Sequence, residues 1–385
     1  MKLFHLFKYY WPDNGGGIAA AMDMVIHAFK EYSKGRDNLS QEIICCWQES
    51  GKKAKKGKYN GVPVYRCKSL FEFASTQFSP QFVRTVDRRT HNDDIVIYNF
   101  PYPLVDISVL FGKIHGKLVI WWHCDFDTQK GKFITALYKP LVRHTLKKAD
   151  AVIVSAEGNI DGSETLKPFR NKCHVIPFAV SDDMIEQGRR YYEKKRGLES
   201  DDGRDNKVHI LFIGRFVWYK GIDILLNAYS KLDNSRYELT LVGTGPLFED
   251  MTRLSEDLQL NNITFAGSVA EEEKIDWIKW CDFLVLPSIS KAEAFAIVQI
   301  EAMAFGKPVV NTWLPSGVPN VSVDGETGIT VKPGDKCELL NAIKKIGHDK
   351  ELYKSFSCNA INKVEKEYSM RVLEGQYKTF FEELS

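Results

Sequence analysis

The chain has 385 residues, of which 44% are apolar and 26% charged, with a formal net charge of +2. That composition excludes extended disorder and predicts two domains, each large enough for its own core. No apolar run approaches the roughly 20 residues that span a bilayer, and the eight cysteines show no C-x-x-C spacing, so reduced and mostly buried thiols of a cytosolic protein are expected, with no zinc site.

Met1 to Lys8 (MKLFHLFK) is too short and too soon charged for a signal peptide, and residues 2–7 read as a first buried strand. Tyr10-Trp11-Pro12-Asp13-Asn14-Gly15-Gly16-Gly17 follows, a glycine-rich turn before a helix. Further runs rich in Val and Ile lie at 42–47, 62–66, 94–98, 117–122 and 151–154. They are continuous rather than alternating, the pattern of parallel strands covered on both faces. His123 stands just after one of them, in Trp121-Trp122-His123-Cys124-Asp125; a single His at a strand end is more often structural than functional. Two basic stretches interrupt the series. One is the loop 52–58 (KKAKKGK); the other is 132–148, with Phe133, Leu137, Tyr138, Leu141 and Leu146 on an amphipathic pattern. Both suit an anionic membrane, and equally a solvated loop and a core-facing helix. Residues 1–180 hold 26 Lys and Arg against 17 Asp and Glu, a surplus of +9, whereas 181–385 hold 26 against 33, or −7. A basic first half favours an anionic partner, although chance surface bias accounts for it as well.

Residues 187–207 are strongly polar and separate the two halves as a helix plus linker. A second series of apolar runs then follows at 208–213, 238–242, 263–266, 283–286 and 308–311. Two such series predict two α/β domains. Residues 371–384 place Val372, Leu373, Tyr377, Phe380 and Phe381 at helical spacing, which predicts a terminal amphipathic helix.

The second series carries the chemistry. Ile213-Gly214-Arg215-Phe216-Val217-Trp218-Tyr219-Lys220-Gly221 ends a strand and opens a helix over 222–232. A strand end, a glycine turn and a helix start make an anion site, and Arg215 and Lys220 bring two cations suited to a diphosphate. Val242-Gly243-Thr244-Gly245-Pro246 closes the next strand, where two glycines permit close backbone approach. Gly267 makes a third loop on the same sheet edge. Residues 288–308 (SISKAEAFAIVQIEAMAFGKP) set Glu293 and Glu301 eight positions apart, read as one helix stopped by Gly306 and Pro308. At about 1.5 Å per residue the two carboxylates would be about 12 Å apart, close to the reach from a nucleotide's ribose to its sugar. Each motif also has a plain structural reading: a tight turn, or carboxylates at a helix start and rim.

Taken in this order, G-R-x(4)-K-G, V-G-x-G-P, E-x(7)-E, G-x-P-V-V and Asp324-Gly325-Glu326-Thr327-Gly328 resemble the donor half of the family-4 retaining glycosyltransferases, from Gly214 to about Asp335. The resemblance extends to bacterial surface-polysaccharide mannosyltransferases. It implies an α/β GT-B fold: two Rossmann-like domains facing across a cleft, with a C-terminal helix crossing back to the first. The boundaries implied are 1–182 for an acceptor-binding domain, 183–207 for a polar linker, 208–366 for a nucleotide-sugar-binding domain and 367–385 for the terminal helix.

The residue roles implied are these. Arg215 and Lys220 hold the diphosphate and neutralise the leaving group; Glu301 binds the ribose; Glu293 contacts the donor sugar near the reacting centre. Gly214, Gly243 and Gly245 admit the donor, and the amides of Phe295, Ala296 and Ile297 face its phosphates. Gly15, Gly16 and Gly17 match the family's glycine loop, and His123 its donor-sugar histidine. Tyr98, Phe100, Tyr102, Trp121 and Trp122 are candidates to line an acceptor groove. One departure stands out: the family's Glu-Gly-Phe-Gly is Glu293-Ala294-Phe295-Ala296 here, and two added methyl groups narrow the space over the phosphates.

The expected activity is metal-independent transfer, with retention, of a hexose to a glycan hydroxyl. GDP-mannose is the first candidate donor and a lipid-linked oligosaccharide of O-antigen or capsule type the acceptor. No cofactor is expected beyond the donor itself, no nucleic acid partner, and a cytoplasmic position with possible contact at the inner face of the plasma membrane through the basic first domain. Two other readings stay open: a UDP-hexose-dependent enzyme of the same family, and a nucleotide-sugar-binding protein without turnover, which the two alanines favour. A sugar-nucleotide epimerase of this fold needs acid and base residues that cannot be assigned here.

Overall fold

A computed structural model describes residues 1–13, 17–73, 76–125, 132–197 and 207–384. The chain divides into two units: Met1–Phe178 with Leu373–Ser385, and Ala179–Val372.

The first unit contains β1 (Lys2–Leu6), α1 (Gly17–Tyr32), β2 (Ser40–Cys46), β3 (Lys55–Tyr59), β4 (Val62–Cys67), β5 (Phe71–Phe73), β6 (Thr76–Phe78), α2 (Pro80–Arg89), β7 (Ile95–Phe100), α3 (Pro103–Leu110), β8 (Lys117–Trp122), α4 (Lys132–Lys148), β9 (Ala151–Val154), α5 (Glu157–Asp161) and β10 (Cys173–Val175). The main sheet runs β10-β9-β8-β7-β1-β2-β4-β3, with β5 and β6 forming a separate hairpin. Within the main sheet β3 pairs antiparallel with β4 and the other pairings are parallel. The continuous apolar runs explain this. β7 is buried along its whole length, as a central parallel strand must be. α2 begins where Ser79 Oγ accepts from the Phe82 amide at 3.0 Å, with Pro80 supplying a preset backbone angle. β1 sits between β2 and β7, so the sheet order reverses there. The carboxyl end of β1, which precedes the glycine-rich segment, is therefore a topological switch point.

Two expectations need correcting here. Tyr98, Phe100, Tyr102, Trp121 and Trp122 are core residues, none more than 2% exposed, and do not line an open groove. Tyr98 donates to Asp106 at 2.5 Å and accepts from the Tyr102 amide at 2.8 Å. Phe100 and Trp122 stack at 3.9 Å and border a small cavity with Tyr138, Lys139, Val142 and Thr165. In α4, Tyr138 and Leu146 are buried in this core and Leu141 packs against it, so these apolar side chains are not a membrane face. The side chains of Phe133 and Leu137 lie outside the described residues.

The second unit contains α6 (Asp182–Gly197), β11 (Val208–Ile213), α7 (Ile222–Tyr229), β12 (Tyr237–Val242), α8 (Phe248–Asp257), β13 (Ile263–Gly267), α9 (Glu271–Trp280), β14 (Phe283–Val285), α10 (Val298–Ala304), β15 (Val309–Thr312), α11 (Val318–Val321), β16 (Gly328–Val331), α12 (Lys336–His348) and α13 (Lys350–Glu367). Its sheet runs β13-β12-β11-β14-β15-β16, all parallel. The order reverses between β11 and β14, which places a second switch point beside Gly214. Asp335 and Asp349 cap α12 and α13 through their carboxylates. Much of the polar stretch read as linker is helix α6, grouped with this unit; residues 198–206 lie outside the described residues.

The last helix, α14 (Met370–Leu384), groups with the first unit from Leu373 onward. Its apolar stripe explains why: Leu373, Tyr377, Phe380 and Phe381 are buried. Phe381 meets Phe29 edge-on at 5.2 Å and Tyr377 meets Trp121 at 6.5 Å. Among the described residues no helix is long and apolar enough to cross a membrane.

Candidate functional site

The carboxyl ends of β11, β12 and β13 are tied together beyond the sheet. Gly214 N donates to Val242 O at 2.9 Å, Phe216 N to Thr244 O at 2.9 Å and Gly243 N to Gly267 O at 2.7 Å. A Cβ on Gly243 would lie 2.0 Å from the Gly214 carbonyl oxygen, and one on Gly245 2.6 Å from that of Phe216. These two glycines are thus required first by the neighbouring loop, whereas the sequence suggested a ligand. Gly214 is needed for a different reason. A Cβ there would sit 3.1 Å from Lys220 Nζ, so the glycine clears the path of that ammonium.

After β11 the chain makes one tight turn over Trp218–Lys220 and passes through Gly221 at φ 63° into α7. A Cβ at Gly221 would lie 2.2 Å from Pro287 O, so this turn is pressed against the loop that follows β14. That contact fixes the central feature of the site. Lys220 Nζ pairs with Glu293 Oε2 at 2.6 Å, and Ser288 Oγ donates to the same oxygen at 3.0 Å. Lys220 and Glu293 are both buried. Arg215 is exposed, with no side-chain partner among the described residues.

Glu293 is not helical, which corrects the single-helix reading of 288–308 and its 12 Å spacing. The chain stays irregular from Glu293 to Ala296, and α10 begins at Val298. The break sits at Ala296, whose φ of 62° is left-handed. A methyl-bearing residue there carries strain that glycine would not. The irregular stretch is held from both sides: Gly317 N donates to Ala294 O at 2.8 Å, and buried Phe295 meets Tyr368 edge-on at 6.1 Å. Ile297 directly precedes α10.

Glu301 lies in the first turn of α10 and is met by Lys274 of α9 at 2.9 Å. Burial pushes the Glu301 carboxyl above the usual range, and Lys274 only partly reverses this. For Lys274 burial works downward, but Glu301 and Glu271, the latter at 2.7 Å, win and hold the ammonium above its ordinary value. Sequence reasoning missed Lys274. Its signal was a lone lysine in the helix start Glu271-Glu272-Glu273-Lys274, directly after the Gly267 loop.

In the first unit, His123 follows β8 and its Nε2 lies 3.1 Å from Asn99 Oδ1. Asn99 Nδ2 donates to Leu6 O at 3.3 Å, so its oxygen faces the imidazole, Nε2 carries the proton and Nδ1 is left as an acceptor. The ring is packed between Trp121 at 4.6 Å and Phe178, parallel within 7° at 6.4 Å. Burial pushes its pKa down to about 3, so the imidazole is neutral. Gly15 and Gly16 lie outside the described residues; Gly17 is the first residue of α1. The segment before them is braced by two groups the sequence did not single out. Arg66 pairs with Asp13 at 2.9 Å and donates to the Trp11 carbonyl, while Asp23 accepts from Trp11 Nε1 at 2.7 Å and from the Tyr10 hydroxyl.

An Asp-x-Asp spacing, Asp125 and Asp127, follows β8. Asp125 is engaged within the unit, accepting from Ser163 Oγ at 2.6 Å and Trp122 Nε1 at 3.2 Å; Asp127 lies outside the described residues. Among the described residues no three His, Cys, Asp or Glu side chains gather as a metal site would require.

Comparison with known proteins shows what this chain is similar to. Residues 197–363 match the model of the glycosyl transferases group 1. The chain is 27% identical to the O-antigen chain mannosyltransferase C of Escherichia coli over 96% of this chain and 95% of that one. It is 26% identical to the D-rhamnosyltransferase WbpZ of Pseudomonas aeruginosa over 89% and 86%. Among solved structures, Anabaena Alr3699/HepE in complex with UDP and glucose superposes with a TM-score of 0.72 at 19% identity over 99% of both chains. Sucrose-phosphate synthase from Thermosynechococcus elongatus gives 0.75 at 18% identity over 100% of this chain and 98% of that one. The fold is GT-B, and the chain is a glycosyltransferase that resembles the group 1 family, whose model covers most of its second unit.

Proposed function

We propose that this glycosyltransferase moves a mannose-type hexose from a nucleotide sugar to a hydroxyl of a lipid-linked glycan in surface-polysaccharide assembly, with retention of configuration. The observation that carries the donor assignment is the buried Lys220–Glu293 pair at a switch point, with Glu301 in the first turn of the helix that follows. A buried ammonium and an exposed guanidinium, Arg215, on the same strand-to-helix connection suit a diphosphate. As the sugar–phosphate bond breaks, both cations stabilise the negative charge that develops on the leaving nucleotide. Glu301 accepts hydroxyls of the ribose and Glu293 those of the donor sugar. In the first unit taken by itself, neutral His123 offers Nδ1 as a hydrogen-bond acceptor. The acceptor oxygen bonds to the anomeric carbon on the face the phosphate leaves, and its proton passes to a phosphate oxygen of the departing nucleotide. No protein nucleophile is assigned, and no residue is set aside as a metal ligand.

GDP-mannose is the first candidate donor. Its support is the pair of relatives, one named for mannose and the other for D-rhamnose, which is mannose lacking the 6-hydroxyl. A UDP-hexose is the second reading, favoured by the fold neighbour that holds UDP and glucose. Thermal unfolding with a panel of nucleotide sugars separates them. A rise of several degrees with GDP-mannose alone, lost in Glu301→Ala, is the expected result; a rise with UDP-sugars alone transfers the assignment to the second reading. No rise with any nucleotide sugar overturns the donor site and leaves the binding-protein reading without support as well.

A further inference from the structure

The hairpin of β5 and β6 has no counterpart in the function described so far. It leaves the main sheet after β4 and returns to the start of α2. Its two cross-strand phenylalanines are in register, Phe71 with Phe78, and their rings stack at 5.0 Å. Such a pair belongs in a core, yet Phe71 is 52% exposed and Phe78 42%; the preceding Leu70 is 53% exposed. Three adjoining apolar side chains left in water mark an interaction surface rather than scattered exposure.

The surroundings identify the partner. The loop after β2 is joined to the hairpin base: Gly51 N donates to Ser69 O at 2.9 Å and Ser50 Oγ lies 3.4 Å from Ser69 Oγ. That loop and the adjoining start of β3 carry Lys52, Lys53, Lys55 and Lys56, and Lys68 stands just before the hairpin; all five are exposed. Glu49 and Glu72 are the opposing charges within these segments, and Glu49 is held to Lys52 at 2.7 Å. An apolar hairpin face with a lysine-rich loop joined to it matches the interface of an anionic bilayer, where rings enter below the headgroups and ammonium groups meet phosphates. We propose that this hairpin and lysine loop dock the chain on an anionic lipid surface.

The opposite face of the hairpin, that of Glu72 and Gln77, points to the reason. Tyr9, which leads into the glycine turn after β1, donates to Glu72 at 3.2 Å, and buried Gln77 donates to Glu72 at 2.9 Å and to the Tyr9 hydroxyl. A hairpin seated in headgroups therefore brings the carboxyl edge of β1 to the membrane, where a lipid-linked acceptor is presented. In this the inference rests on the proposed acceptor class; the surface itself does not depend on the donor.

The test is co-sedimentation of the full chain with vesicles of phosphatidylethanolamine and phosphatidylglycerol, against phosphatidylcholine alone. Two variants accompany it: Phe71→Ser with Phe78→Ser, and Lys52→Glu with Lys53→Glu and Lys68→Glu. Nucleotide-sugar thermal shifts on each report the fold and the donor reading independently. The expected result is binding to the anionic vesicles, weakened about ten-fold or more in each variant and by high salt. Absence of binding, equal binding to neutral vesicles, or variants that bind like the parent would each overturn the proposal. So would a dimer in solution that the phenylalanine variant dissolves, since the hairpin would then serve a second copy. Should the phenylalanine variant not fold, the lysine variant decides alone. Vesicle binding without any nucleotide shift would remove the donor reading and leave the surface standing.

Discussion

Lys220 Nζ and Glu293 Oε2 stand 2.6 Å apart with side chains no more than 10% exposed, although 73 positions separate them in the chain. Each neutralises the other in the folded chain, so in the proposed donor site a diphosphate would exchange one partner for another. Removing a single member leaves a buried charge uncompensated, which costs on the order of 3 kcal/mol. Lys220→Met should therefore lower both stability and transfer. Lys220→Met with Glu293→Gln should recover most of the stability and none of the transfer. Urea unfolding and donor turnover on the three proteins check this; a double variant as unstable as the single one would deny the coupling.

Ala296 gives a prediction of the opposite sign. At φ 62° its methyl group opposes the left-handed backbone. Ala296→Gly should stabilise the chain, by up to about 1 kcal/mol after allowing for glycine's greater freedom when unfolded. A lower urea midpoint in the variant would show that the alanine fits its site.

Gly243 should tolerate no side chain. Gly243→Ala would place a methyl carbon 2.0 Å from the Gly214 carbonyl, at φ 128°. The expected loss is several kcal/mol, measured by unfolding without any ligand. If the glycine served only a bound nucleotide, stability would be unchanged and donor affinity alone would fall.

Stability should also depend on pH through His5 and His123. Burial holds their pKa values near 4 and 3, below the usual 6.5. Between those limits the unfolded chain binds more protons than the folded one, so stability rises with pH. The contribution is complete above about pH 6.5 and is lost as pH falls toward the folded values. His5 is fully buried, and its share is of the order of 3 kcal/mol at about 1.4 kcal/mol per unit. His5→Gln should flatten the melting profile between pH 4 and pH 6.5 (about the span set by its two pKa values); an unchanged slope would assign the effect elsewhere.

Glu301 works the other way. Its folded pKa is raised, so its contribution to stability is greatest below the ordinary carboxylate range and is lost as pH rises through the folded value. In its proposed role Glu301 meets the ribose in the ionised form, which Lys274 helps to maintain. Lys274→Met should move the acid limb of nucleotide binding to higher pH without abolishing binding at alkaline pH. Isothermal titration across pH decides: a uniform loss at every pH would make Lys274 a direct ligand contact.

Much of this was legible in the order of residues. Continuous Val- and Ile-rich runs forecast parallel strands, and G-R-x(4)-K-G with E-x(7)-E singled out Lys220 and Glu293, which the fold brings together. The partnership of Lys220 with Glu293 was not, because it depends on β11 and β14 being neighbours, a property of sheet order rather than of spacing. Glu293 was assigned to one helix that Gly306 and Pro308 stop; the left-handed residue at Ala296, which breaks it, is invisible to propensity. Tyr98, Phe100, Tyr102, Trp121 and Trp122 were read as groove residues, but strands covered on both faces and the turn after β7 bury them. The exposed hairpin escaped notice since three-residue strands are too short to show a period.

The neighbouring of β11 and β14 also sets a timetable. During synthesis at about 5–20 residues per second, Lys220 emerges some 4–15 s before Glu293. In that interval β12 and β13 are completed on one side of β11 while its other edge waits open. The lysine cannot be buried until its carboxylate arrives, so closing the sheet at β14 and installing the charge that the site requires are a single late event. A nascent chain halted short of residue 293 would hold a half-built sheet with a hydrated ammonium at its rim, which makes this segment the point where chaperone contact and proteolysis of unfinished chains should concentrate.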